Sequence, residues 1–185
     1  MKKYSHFILL LFIVIGVSNS VSCQPASPLK IIIIRHGEKS AKGDNLSCQG
    51  LNRAMQLSKV IYSKFGIPAD VYVPELNPGK STTHVRMFQT ISPFVIKYDL
   101  SVNSNYDVDD TDSLAKNLQK RTGTVLVVWE HKALNNIAWA LGVKDKNLKW
   151  PADDYDSIWI VTYKNGNAVL TKDKEGIAPT SNCSF

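Results

Sequence analysis

The chain has 185 residues, 44% of them hydrophobic and 21% charged, enough for one domain with a real core. Its formal net charge is +6, and residues 1–23 carry two of the 22 lysines and arginines and none of the 16 acids, leaving about +4 beyond them. That balance lacks a dense Lys/Arg stripe, so it argues against nucleic acid as partner and is compatible with a small anionic substrate.

Residues 1–23 read as an export signal: Lys2 and Lys3, an apolar run from Phe7 to Val17, then Ser18, Ser20 and Ser22. The run is too short to span a bilayer comfortably. Ser20-Val21-Ser22-Cys23 partly matches a bacterial lipobox, with Ser20 in place of the usual leucine, so a lipid anchor at Cys23 is the one membrane attachment considered. Cleavage or lipidation at Cys23 leaves Cys48 and Cys183, and two cysteines in an exported chain predict one disulfide. The expected location is periplasmic, secreted or anchored to the cell envelope, with 24–185 as a single domain.

In chain order, Gln24 to Leu29 is a linker. Ile31 to Ile34 is a β-branched run suited to a strand buried on both faces, and it stops at Arg35, His36 and Gly37. Ser40 to Asn45 is a loop, and Ser47 can cap a helix from about Gln49 to Gly66-Ile67-Pro68. Asp70 to Glu75 is a short strand and Asn77-Pro78-Gly79 a turn. A helix follows from about Thr83 to Tyr98, with a break or kink expected at Pro93. Val102 to Asp107 reads as a weak edge strand, and Asp112 as the cap of a helix over Ser113 to Lys120. Thr124 to Trp129 is a second buried strand, followed at once by Glu130 and His131. Leu134 to Leu141 is helical and Gly142 ends it. Ser157 to Tyr163 and Ala168 to Thr171 flank Asn165-Gly166, a strong hairpin signal. The alternation predicts an α/β fold with a mostly parallel central sheet flanked by helices.

Two buried strands that each deliver a histidine to the carboxyl edge of a sheet put both imidazoles where ligands bind in open α/β sheets. If the strands are neighbours, His36 and His131 share a pocket with Arg35 and Arg86. Guanidinium groups bind a tetrahedral dianion bidentately and remain charged, and a neutral imidazole is a competent nucleophile for phosphorus.

These residues carry a resemblance. Arg35-His36-Gly37-Glu38 resembles the signature of the histidine phosphatase superfamily, the phosphoglycerate mutase-like enzymes. The similarity continues through Leu46-Ser47-x-x-Gly50-Leu51-x-Arg53-Ala54, through Thr82-x-x-x-Arg86-x-x-Gln89-Thr90, and through Val125 to His131 with the helix after it. Four motifs in order from about 30 to 142 carry far more weight than one R-H-G. The resemblance implies the phosphoglycerate mutase-like fold, with His36 as nucleophile and Arg35, Arg86 and His131 holding the phosphoryl group. No cofactor is expected. The proton donor has no clear match, because Glu130 stands where the family often has glycine or serine. Glu130 is one candidate donor, and Asp107, Asp109 and Asp110 are others. Glu38 is expected to orient the Arg-His-Gly turn.

Competing motifs are weaker. Gly79-Lys80-Ser81 imitates a P-loop end, but Pro74 stands where its first glycine should be. No G-x-S-x-G and no H-E-x-x-H occur, which argues against an esterase elbow and a zinc site. Lys39 and Ser40 depart from the R-H-G-x-R-x-P form of the phytase branch. The expected activity is hydrolysis of small phosphomonoesters through phosphohistidine. A mutase is the first rival, disfavoured because little chain remains to shield an intermediate from water. A non-catalytic phospho-ligand-binding protein is the second.

Overall fold

The structure, a computed structural model, describes residues 27–76 and 83–183. The segment read as an export signal, with Cys23, the Asn77-Pro78-Gly79 stretch expected to turn, the Gly79-Lys80-Ser81 sequence and Thr82 lie outside the described residues. The elements are β1 (Lys30–Arg35), α1 (Cys48–Phe65), β2 (Asp70–Tyr72), α2 (Val85–Tyr98), β3 (Val102–Asn103), α3 (Thr111–Leu118), β4 (Thr124–Trp129), α4 (His131–Ala140), β5 (Ser157–Lys164) and β6 (Asn167–Lys174).

The six strands form one sheet in the order β3-β2-β4-β1-β5-β6. β1 to β4 pair in parallel, and β5 and β6 add an antiparallel hairpin. The isoleucine run is explained by the two faces it serves. Ile31 and Ile33 pack with Val125, Val127, Trp129 and the α3–α4 side chains, while Ile32 and Ile34 pack with Leu126, Val128 and the α1–α2 side chains. Period-two alternation across a doubly covered sheet thus requires apolar residues at every position. Asn165 and Gly166 adopt positive φ, 51° and 75°, as a tight hairpin turn demands.

Four expectations are corrected. α2 runs unbroken through Pro93, because Thr90, Ile91, Phe94 and Val95 are buried and tertiary packing outweighs the missing N–H. Asp110, not Asp112, caps α3, accepting from Ser113 N at 3.2 Å, and Asp112 sits inside the first turn. The edge strand is only Val102–Asn103, and beyond it the chain stays beside the residues after β2 through a single bond, Glu75 N–H to Tyr106 O at 2.7 Å. α4 begins at His131 rather than Leu134, so the second histidine opens a helix and Glu130 is its cap position.

Candidate active site

β1 and β4 are neighbours, paired from Lys30↔Thr124 to Arg35↔Trp129. The ladder is extended by one bond, His36 N–H to Trp129 O at 3.2 Å. His36 and Glu130 are therefore the next positions along the two strands, and His131 follows immediately.

The Arg-His-Gly turn is held from two sides. Gly37 N–H donates to Thr90 Oγ1 at 2.8 Å, and that hydroxyl donates to Arg86 O at 2.7 Å, so the turn is tied to the helix residue that carries the second arginine. On the other side the turn abuts the start of α1. A Cβ on Gly37 would lie 2.9 Å from Gly50 O, and one on Gly50 would collide with Glu38 O. Both glycines are therefore needed for close backbone approach. Ser47 caps α1 by accepting from Gly50 N at 3.1 Å, and its own N–H donates to Glu38 O at 2.9 Å. Gln89 accepts from Leu46 N at 3.0 Å and donates to Asn45 Oδ1 at 2.8 Å, which fixes the loop after the turn to α2.

Glu38 points to Arg53 on α1. Arg53 binds both Glu38 oxygens through Nε at 3.1 and 3.0 Å, and Glu175 Oε2 through Nη1 at 2.6 Å. Two carboxylates share one buried guanidinium, and its affinity for the proton rises through both despite burial. Glu175 has only part of that cation and is itself buried. Burial outweighs Arg53, and its pKa is pushed up to about 7.

His36 is 2% exposed, and its Nδ1 lies 2.6 Å from Gly37 O. Only a protonated Nδ1 can make that bond, so in the neutral ring the lone pair is on Nε2. Burial, followed by the charges of Arg35, Arg86 and His131, pushes the His36 pKa down to about 3, against the Gly37 bond. His131 is also lowered, by burial first and then by Arg35, Lys132 and Lys39, with Glu130 opposing. Burial likewise lowers Arg35, but a guanidinium stays charged.

Arg35 Nε, Arg86 Nε and His131 Nδ1 are buried without a hydrogen-bond partner among the described residues. Buried polar atoms are nearly always paired, so three orphans around one imidazole mark a place for a ligand rich in acceptors. Arg86 Nη1 reaches Asp44 only at 3.3 to 3.4 Å.

Glu130 makes none of the ion pairs found among the described residues, and its charge acts on Arg35 and His131. The rival donors are engaged in their own loop or turned outward. Asp107 Oδ1 accepts from Asp109 N at 2.9 Å, Asp110 caps α3, and all three are exposed. Among the described residues no group of three or more His, Cys, Asp or Glu is placed to hold a metal ion.

Two features had no sequence signal. The loop 150–157 supplies carbonyl acceptors to Arg35, and Glu175 joins the Arg53 network from beyond β6. A groove of about 630 Å³ between α1 and α2, lined by Leu51, Met55, Pro93 and Ile96, contains none of Arg35, His36, Arg86 or His131.

No protein-family model and no curated protein sequence matches this chain. Solved structures do. The protein histidine phosphatase SixA complexed with tungstate superposes with a TM-score of 0.55 at 17% identity, over 80% of this chain and 97% of that one. An alanine variant of phosphoserine phosphatase from Entamoeba histolytica, bound to phosphoserine, gives 0.54 at 12% identity, over 85% and 100%. A mycobacterial glucosyl-3-phosphoglycerate phosphatase with inorganic phosphate gives 0.52 at 12%, over 78% and 95%. These neighbours are members of the histidine phosphatase superfamily, and the fold of this chain is theirs, the phosphoglycerate mutase-like fold.

Proposed function

We propose that the protein is a phosphomonoester hydrolase that works through a phosphohistidine at His36. The observation that carries this reading is His36 itself: its Nδ1–H is engaged by Gly37 O, its ring is kept neutral, and it stands beside the cations Arg35 and Arg86 and the ring of His131. Nε2 attacks phosphorus, the bond to the leaving oxygen breaks, and Glu130 gives that oxygen its proton. Water then attacks the phosphohistidine with Glu130 as base, inorganic phosphate leaves, and Nε2 is restored. Arg35, Arg86 and His131 hold the phosphoryl oxygens, and their grip strengthens as charge spreads in the transition state.

The substrate is a small phosphorylated molecule. Phosphatases acting on phosphohistidine, phosphoserine and a sugar-linked phosphoglycerate among the structural neighbours support that class. The reading includes export, supported by the Cys48–Cys183 disulfide, a kind of bond that persists in oxidising compartments. Attachment at Cys23 belongs to the same proposal.

The test is a phosphatase screen over sugar phosphates, nucleotides, phosphoamino acids and an aryl phosphate, with His36→Ala alongside. Wild-type turnover with an inactive His36→Ala that still binds vanadate is expected. Phosphate binding without turnover of any substrate would favour a binding protein instead.

A further inference from the structure

We propose that Tyr155 is the positioning residue for Arg35, fixing the guanidinium so that its Nε–Nη2 edge meets the phosphoryl group; this rests on the phosphatase reading above. Arg35 ends β1 and is 2% exposed. Its Nη1 donates to Ala152 O at 2.7 Å and to Asp154 O at 3.1 Å, and its Cζ lies 3.7 Å from the centre of the Tyr155 ring. Both loop carbonyls fall on Nη1, and Nε is an orphan, so the Nε–Nη2 edge is the side left for an anion. That edge is one of the forks with which arginine grips tetrahedral oxyanions. The two carbonyls hold one end of the group in its plane, because both Nη1 hydrogens lie in that plane, and nothing in them supports its flat face. The Tyr155 ring against that face holds the far end, Nε and Nη2, from tilting. The same ring lies edge-on to His36, with centroids 6.2 Å apart and planes inclined at 62°, so it walls the pocket on this side.

The loop does not depend on Tyr155 for its shape. Asp154 Oδ1 accepts from Asp156 N and Ser157 N, both at 2.9 Å, and Asp154 Oδ2 from Ser157 Oγ at 2.6 Å. Trp150 Nε1 donates to Asp154 O at 2.9 Å, and Trp150 packs on Trp159 inside the core. Tyr155 is only half-buried and belongs to neither core cluster. Replacing it should change the setting of Arg35 while the loop stays folded.

The experiment measures vanadate inhibition, KM and kcat for an aryl phosphate, and thermal melting for wild type, Tyr155→Phe, Tyr155→Leu and Tyr155→Ala. Phe keeps the ring and should stay within about twofold of wild type. Leu and Ala lose the aromatic face and should weaken vanadate binding about tenfold with an unchanged melting temperature. Vanadate binding by the Leu variant equal to wild type would overturn the inference alone. A Phe variant as weak as Leu would overturn it by moving the effect to the hydroxyl. Unfolding of both the Leu and Ala variants would do so by making the ring a structural part. Wild-type protein that binds no vanadate would overturn the phosphatase reading and this inference together.

Discussion

Arg35 on β1 and Trp129 on β4 stand opposite each other in parallel register, and the His36 amide closes onto Trp129 O at 3.2 Å. This pairing decides where the chemistry can be. It brings the residues after two separate strands to one point on the sheet edge before any loop contributes. The Trp129 indole then donates to Val108 O at 2.8 Å, which anchors the Asp107–Asp110 loop beside that edge.

Glu130, one step past that pair, should act as the proton donor. General acid catalysis contributes about 10²–10⁴-fold and matters most for poor leaving groups. Glu130→Gln should therefore slow alkyl phosphate hydrolysis strongly and an activated aryl phosphate only slightly. An equal loss on both would indicate impaired phosphate positioning. No loss on either would pass the role to Asp107, Asp109 or Asp110.

His36 should stay neutral far below the usual histidine range. Its pKa is pushed from 6.5 down to about 3 by burial and neighbouring cations. A histidine depressed in the folded state stabilises the fold above pH 6.5, and that contribution is lost as pH falls toward 3. NMR titration of the folded protein should show no His36 ring transition between pH 7.5 and about 5. A midpoint near 6.5 would contradict the burial that prepares the nucleophile.

The sheet, and the meeting of Arg35, His36 and His131 at one of its edges, were legible in the sequence because strong local signals coincide there. Four consecutive isoleucines require a strand covered on both faces, and an abrupt Arg-His-Gly marks its ligand-bearing end. Tyr155 was not legible because it acts on Arg35 across a loop 120 residues away, and the loop's acceptors are backbone carbonyls, which any sequence supplies. Glu175 was hidden for a similar reason: only the folded hairpin brings it to Arg53. The start of α4 was read too late because Glu130 and His131 look like loop residues, whereas the buried Ala133, Leu134 and Ile137 pull the helix up to the strand end.

Glu175 should make the fold less stable as pH rises. An acid raised from 4.5 to about 7 is more protonated folded than unfolded across that interval, so stability falls from pH 4.5 to about 7. His36 works in the opposite direction, so the comparison is between wild type and Glu175→Gln. Denaturant unfolding should show wild type losing ground to the variant, on the order of 3 kcal/mol at most, as pH rises through this window and then levelling off. A difference independent of pH would refute the shift.

Cys48 and Cys183 are joined, with Cα atoms 5.0 Å apart across 135 residues. Asn52 Nδ2 reinforces the link by donating to Thr180 O and Asn182 O at 2.8 and 2.9 Å. Cys183→Ser should therefore destabilise the protein by up to about 5 kcal/mol in the chain-entropy account. Thiol counting on unfolded, unreduced protein lacking residues 1–23 should find no free sulfur, and two free thiols would exclude the bond.

The most direct measurement is rapid quenching of wild-type protein during turnover, followed by peptide mapping of acid-labile phosphate. The account predicts phosphate on His36, absent from His36→Ala. Label on another residue, or turnover by His36→Ala at the wild-type rate, would contradict it.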